Sequence, residues 1–439
     1  MKGGAGPAAG PGLSAEPLLR LDALRLLRAL VFVGALLLAW VSLKPFPDLR
    51  GLDLLELQSG NDQLTYLAFG GLAAAALFLV LRDHGRALGA LASPALLALA
   101  AWACVGVALS QDPGTSLRRF ALTGAVAAVA AALPLLPQGR AELTRLLQVA
   151  AWALLVLCLL GVLLAPDLSI HQRTDAQEPL LAGLWRGVFG HKNVAAAMMA
   201  MLVFVGLYAA RAGFPLSGLA LAGLSALFLA GTGGKSAMAL CVLVLTLTAL
   251  AAPVRSFAVR ALLCLLPVVV LNLLSVGAVL SEPLAAAAKV LPVDATFTGR
   301  TDIWRFALDS IAQRPWTGHG FAAFWGTETV RASSEQGADW AGYAAHSHNG
   351  YLDTALTLGI PGLVLLVLAF VLGPLRDYGR VDPRSGEAPL ALLFLRIWLF
   401  GVSLSAMESI FFERADPIWF TFLVAVFGLR YLGRFRTAG

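Results

Sequence analysis

The run His346-Ser347-His348-Asn349-Gly350-Tyr351 offers a candidate general base. An imidazole titrates near neutral pH and can take the proton of an attacking hydroxyl. Taken alone, the pair equally fits two interfacial histidines. A second group of residues suits an anionic ligand. Gly299-Arg300-Thr301-Asp302-Ile303-Trp304 opens a helical pattern, and helix-start N–H groups beside a guanidinium can grip phosphate oxygens. Gly190-His191-Lys192-Asn193 and Gly231-Thr232-Gly233-Gly234-Lys235-Ser236 each set a cation at the start of an apolar run. The latter has the composition of a phosphate loop without its spacing, and reads as a tight turn presenting Lys235. Asn193 is also a ready helix N-cap, which leaves the first cation a bland alternative. Arg118-Arg119 adds a further pair.

The elements that hold these residues must be membrane helices. The 439-residue chain is 59% hydrophobic and 13% charged, which excludes a soluble domain with polar outer faces. A helix needs roughly twenty apolar residues to span the hydrocarbon. About twelve runs qualify, near 26–43, 64–81, 94–109, 120–136, 146–164, 194–210, 216–230, 236–252, 261–280, 359–375, 389–406 and 415–432. The short seventh run leaves eleven or thirteen as alternatives. Residues 1–25 are expected to be a disordered cytoplasmic tail, with an uncleaved first span after Arg20, Arg25 and Arg28. Cys104, Cys158, Cys241 and Cys264 lie in apolar runs and read as small core residues.

Charge sets the expected topology. With the amino terminus inside, Arg82, Arg86, Arg140, Arg145, Arg211, Arg255, Arg260, Arg376, Arg380, Arg384, Arg430, Arg434 and Arg436 all fall on one side. That is the positive-inside pattern and puts both termini, including a tail at 433–439, in the cytoplasm. The opposite side receives the long connections at about 165–193 and 281–350. Against this bias it retains Arg118, Arg119, Arg173, Arg186, Lys192, Lys235, Arg300, Arg305, Arg314 and Arg414, which points to an anionic ligand there; snorkelling to lipid phosphates is the alternative for any single one. Within the 281–350 connection, Thr301 can cap an amphipathic helix whose Ile303, Phe306, Ala307 and Ile311 repeat at helical spacing until Arg314-Pro315. Trp304, Trp316, Phe321, Phe324, Trp325, Trp340 and Tyr343 make the connection aromatic, as suits a membrane interface or sugar stacking. The sequence has no nucleotide-phosphate loop and no D-x-D pair. An enzyme on the outer side has no access to cytoplasmic nucleotide donors, so its donor would have to arrive already activated on a lipid.

His348-Asn349, followed after nine residues by Gly359 and after two more by Gly362, resembles the signature of the O-antigen ligase and Wzy-type polysaccharide polymerase superfamily. Gly299-Arg300-x-x-Ile303-Trp304, Arg314-Pro315-Trp316-Thr317-Gly318-His319-Gly320-Phe321, the span number and the large outer loop are similar too. Phe189-Gly190-His191-Lys192-Asn193 and Lys235-Ser236-Ala237 look most like the exopolysaccharide-producing branch. Ligases of the family usually carry arginine where this chain has Lys235, and lysine lacks the bidentate fork.

The resemblance implies a bacterial inner-membrane glycosyltransferase working on the periplasmic face. Its donor is a glycan on undecaprenyl diphosphate, and its acceptor is a glycan or lipid A-core hydroxyl. His348 is implied as the base and Arg300 as the diphosphate ligand, with no metal or other cofactor. The full expectation is an all-α polytopic bundle in which residues 26–280 form nine spans, 281–350 the periplasmic loop and 351–432 three more spans. Inverting transfer uses His348 as catalytic base, with Arg300, Lys235, Arg118 and Arg119 on the diphosphate. His346, Asn349, His191, Lys192 and Asp302 give support. Membrane lipids are partners and nucleic acid is not. A lipid-linked polysaccharide flippase is the alternative class and a non-catalytic assembly scaffold a third, but few charges lie mid-span, where a transport pathway usually needs them.

Overall fold

The computed structural model describes residues 16–50, 63–176, 178–290, 300–327, 330 and 344–435. The expected calls on Gly299, Trp340, Tyr343 and Arg436 lie outside them. Numbering helices of at least eight residues, these are α1 Glu16–Val41, α2 Gln63–Gly89, α3 Pro94–Ala108, α4 Pro113–Ala132, α5 Arg140–Leu164, α6 Lys192–Arg211 and α7 Pro215–Gly231. There follow α8 Lys235–Ala251, α9 Phe257–Leu274, α10 Glu282–Val290, α11 Arg300–Gln313, α12 Gly350–Leu366, α13 Ala388–Leu404 and α14 Pro417–Arg434. The described residues contain no strand, only an isolated antiparallel bridge between Ile170 and Trp185. The protein is an all-α polytopic membrane bundle.

Each of the twelve apolar runs falls on a helix, but seven of these are long and apolar enough to cross a membrane by themselves. Four more, α3, α7, α8 and α13, are apolar but shorter. Several boundaries differ from the sequence expectation: α2 runs on to Gly89, and α4, α5 and α12 start earlier, at Pro113, Arg140 and Gly350. Residues 16–25 belong to α1 rather than to a tail, because Glu16-Pro17 is a favourable helix start and the leucines continue from Leu18. The ninth run does not reach 280: α9 ends at Leu274, Ser275 leaves helical geometry at φ −95°, ψ −94°, and Gly277–Leu280 is a separate short turn.

Local chemistry explains the starts. Ser93 and Asp112 each accept a backbone N–H at the head of a helix whose first residue is proline, and Asp416 does the same for α14. α6 is the central helix. Its Ala195–Gly206 stretch is enclosed almost all round, whereas little of α9 is covered and its flank faces lipid. α6 and α7 approach backbone to backbone: a methyl on Gly206 would sit 2.6 Å from the Gly218 carbonyl oxygen. Small residues allow this contact where helix association cannot rely on the hydrophobic effect.

α12 continues through a π-helical turn to Tyr378, giving a 29-residue apolar run broken at Gly359. Gly359 has φ +69°, a left-handed value that glycine alone adopts freely. The break lets Ile360 N–H reach the Pro315 carbonyl at 2.8 Å, while His319 and Gly320 donate to the Leu356 and Thr357 carbonyls. The Arg314–Phe321 motif is thereby stitched to α12. The amphipathic helix occurs as α11, with Ile303, Trp304, Ala307 and Ser310 buried. Thr301 is helical within α11 and so does not cap it.

Candidate active site

Four separated segments meet at one end of the bundle: the start of α6, the start of α11, the His346–Asn349 turn before α12, and the 405–416 connection between α13 and α14. Their meeting point is Glu408. Its Oε2 lies 3.0 Å from Nδ1 of His348, and its Oε1 accepts from Nη2 of Arg300 at 3.1 Å and from Nδ2 of Asn193 at 3.2 Å. Arg300 also donates through Nη1 to the Met407 carbonyl at 2.7 Å. Burial raises the affinity of Glu408 for a proton, but the His348 hydrogen bond and the Arg300, His348 and His346 charges outweigh it and hold the carboxyl at about 2. The carboxylate is therefore ionised at neutral pH. Being an acceptor only, it fixes the proton on Nδ1 of His348 and leaves Nε2 as the basic nitrogen.

The turn that carries His348 is tightly held. Its backbone has φ +55°, uncommon for a side-chain-bearing residue. Fully buried Asn349 caps α12, its Oδ1 accepting from Tyr351 N at 3.1 Å and Leu352 N at 2.9 Å, while its Nδ2 donates to Asn272 Oδ1 and the Ala406 carbonyl. Trp304 of α11 donates to the Ser347 carbonyl at 2.8 Å, tying the Arg300 helix to the histidine turn. Asp353 accepts from Ser347 N, from Trp325 Nε1 at 2.8 Å and from the Ser409 hydroxyl. Every connection around His348 thus has a partner that restricts its orientation.

The sequence-derived residues divide into three groups. His348, Arg300 and Asn349 share the Glu408 centre, and His346 stands edge-on to His348 with ring centroids 4.2 Å apart. Nδ1 of His346 accepts the His348 backbone N–H at 3.3 Å, and burial, then the neighbouring His348, push the His346 imidazole down. Lys192 is within electrostatic reach of Glu408, Glu178 and Lys235, and Lys235 is exposed at the start of α8.

A second group lies beside the centre. His346, Arg119, Arg414, Glu413 and Asp353, with Phe321, Phe324, Trp325, Phe411 and Phe412 among the walls, line a cavity of about 300 Å³. Arg119 donates to the Ala322 carbonyl there. Trp304, Phe321, Phe324 and Trp325 are buried packing residues, and only Trp316 of the described loop aromatics is largely exposed.

The third group does not join either cluster. Asp302 faces solvent and pairs with Arg305 at 3.3 Å, one turn along α11, so its carboxylate is turned away from Arg300's ligands. Arg118 is exposed and donates to Thr115 at 3.0 Å. His191 caps α6 itself, accepting from Asn193 N at 3.0 Å, and its other nitrogen meets Glu178 at 2.6 Å. The cap expected of Asn193 is thus supplied by His191, which frees the Asn193 amide for Glu408. Arg186, counted with the outward cations, is fully buried and spends its guanidinium on the Phe189 and Pro47 carbonyls.

Glu408 and Asn193 were missed as site residues. The available signal was an acid among apolar residues in a short outward connection, but the sequence reading weighed outward cations and not outward acids.

Residues 219–367 match the family model described as O-Antigen ligase. The matched stretch holds Lys235, Arg300, His346, His348 and Asn349, while Asn193 and Glu408 fall outside it. A protein of Rickettsia felis that carries the name "Putative polysaccharide ligase" is 26% identical over 126 residues, 28% of this chain and 30% of its own length; a Rickettsia conorii counterpart gives the same figures. The exopolysaccharide production protein ExoQ of Rhizobium meliloti is 29% identical over 121 residues, 24% of this chain and 26% of that protein. The chain thus matches less than a third of the length of these curated relatives. Together the likenesses support the resemblance to the O-antigen ligase and Wzy-type superfamily.

Proposed function

For a membrane protein with the features of the O-antigen ligase and Wzy-type superfamily, we propose glycan transfer from an undecaprenyl-diphosphate donor to a sugar hydroxyl, with His348 as the general base. The observation that carries this reading is the shared Glu408 carboxylate, which brings a base and a diphosphate-seeking guanidinium into one site.

The geometry supports the following steps. Nε2 of His348 takes the acceptor hydroxyl proton while the oxygen attacks the anomeric carbon. The bond from that carbon to the diphosphate oxygen breaks on the opposite face, so the configuration inverts. Arg300 offsets the charge gained by the leaving diphosphate, with Lys192 and Lys235 adding positive charge at its edge. Protein cations can supply this offset, and the reading invokes no metal. Positioning of the two reactants supplies much of the remaining acceleration. Glu408 orients His348 and stabilises the imidazolium that forms, the role of the third member of a nucleophile–base–acid series.

The cavity beside His346, with Arg119 and Arg414 in its wall, is the place for acceptor sugars, aromatic faces offering stacking. Arg118 and His191 act at a distance, on the local charge and on the α6 start, and Asp302 takes no part. In this reading the site faces the periplasm of the inner membrane and both chain termini face the cytoplasm. The acceptor is either another lipid-linked glycan or lipid A-core.

The test is incubation of purified protein with an undecaprenyl diphosphate oligosaccharide and no other acceptor. Chain growth with release of undecaprenyl diphosphate supports transfer between lipid-linked glycans, and growth only after lipid A-core is added supports ligation. Movement of the intact lipid across a bilayer with no covalent change contradicts both.

A further inference from the structure

The end of the bundle away from His348 carries a second cationic centre that plays no part in the transfer. The run from Gly350 to Tyr378 has 29 residues. At about 1.5 Å per residue a straight helix of that length measures roughly 40 Å, which bounds the separation of the two ends of this broken run. His348 precedes the first, and Arg376 and Asp377 occupy the last turn. There a groove of about 540 Å³ is lined by Arg376, Arg380, Arg430 and Arg434, with Asp377 as the one acid among its described lining residues.

Asp377 is buried and already engaged, taking Arg380 Nη1 at 2.7 Å and Arg430 Nη1 at 3.1 Å. One carboxylate cannot neutralise four guanidinium groups. Arg376 rests over the Phe257 ring at 5.6 Å and Arg434 is exposed. Arg430 is mostly buried, with Nε on the Ala90 carbonyl at 2.9 Å, yet its Nη2 is a buried donor with no hydrogen-bond partner among the described residues. A buried, unpaired guanidinium donor is costly unless an acceptor reaches it. Positive residues at a membrane face ordinarily point singly to water; here they converge on one recess.

The remainder of the recess is apolar, built from α3, the Leu365–Pro374 stretch and the Val426-Phe427 face of α14. A soluble anion would satisfy the arginines and gain nothing from those walls. A ligand with a phosphate at one end and an acyl chain behind it satisfies both, which is the known chemistry of basic recesses between membrane helices. We propose that this groove binds an anionic glycerophospholipid, its phosphate among Arg376, Arg430 and Arg434 and an acyl chain along α3 and the last turns of the α12 run.

The test uses the full-length protein, delipidated in detergent and titrated with phosphatidylglycerol or phosphatidylcholine while bound lipid is counted by native mass spectrometry. Phosphatidylglycerol should bind about tenfold more tightly than phosphatidylcholine, a gap of about 1.4 kcal/mol, and Arg376→Gln/Arg434→Gln should bring the two within about twofold. Ala98→Trp, which fills the exposed rim of the groove, should weaken both lipids. Equal binding of the two lipids, or an undiminished preference in the double variant, overturns the proposal. So does full displacement of phosphatidylglycerol by millimolar inorganic phosphate, because that would mark a soluble-anion site. Unchanged binding in Ala98→Trp overturns the assignment of the acyl chain to this groove.

Discussion

His348 and Arg300 stand on opposite oxygens of one carboxylate, Nδ1 of the histidine at 3.0 Å from Glu408 Oε2 and Nη2 of the arginine at 3.1 Å from Oε1. The histidine and the arginine come from different elements, 48 positions apart in sequence, and neither can shift without disturbing the other's partner. Glu408 holds both side chains in place.

Glu408→Gln keeps an acceptor oxygen but removes the charge that holds His348 and Arg300. The Glu408 carboxyl sits at about 2 in the folded protein against an ordinary 4.5. A depressed value means its stabilising contribution is complete above about pH 4.5 and is lost as pH falls towards 2. The thermal midpoint of the wild type should therefore exceed that of Glu408→Gln at pH 6, and the gap should shrink on acidification below 4.5. A gap that is constant between pH 6 and pH 3 contradicts the charge role.

Arg300→Lys keeps a cation but loses the planar fork that spans the Met407 carbonyl and Glu408. Donor KM should rise on the order of tenfold, with a smaller effect on acceptor KM. Steady-state kinetics against each substrate separate the two.

Asn193→Ala should slow transfer by about tenfold or less, since it removes one neutral hydrogen bond to a buried carboxylate. Circular dichroism should show an unchanged helix content, because the α6 cap belongs to His191. Loss of helix would assign Asn193 a folding role in place of a site role.

Asp302→Ala should leave transfer unchanged and alter stability by less than about 1 kcal/mol, the range of an exposed ion pair. A large loss of transfer would return Asp302 to the site.

Much of the fold was legible because a membrane helix advertises itself by length, apolarity and punctuation. Ser93-Pro94 and Asp416-Pro417 sit at starts that the structure uses as caps, whereas Asp112-Pro113 opens α4 seven residues before the run expected from 120. Ser275 gives no comparable warning, and the ninth run was read six residues too far. Within the site, His348 and Arg300 stood out because each opens or precedes a helix in a polar connection. Their juxtaposition was not readable, since it depends on α11 docking through Trp304 to the Ser347 carbonyl. Glu408 has no periodic or motif signal of its own, and its importance arises only when α6, α11 and the two connections converge. Asp302 illustrates the reverse error: neighbouring Arg300 in sequence, it points along the helix surface to Arg305.

The most direct measurement is the single-turnover rate of glycan transfer by the purified protein and its His348→Asn variant. Asparagine tolerates the left-handed backbone at this position, so the turn is kept while the base is removed. The account predicts a fall of about two to four orders of magnitude with donor binding retained. Transfer at the wild-type rate by His348→Asn would contradict it.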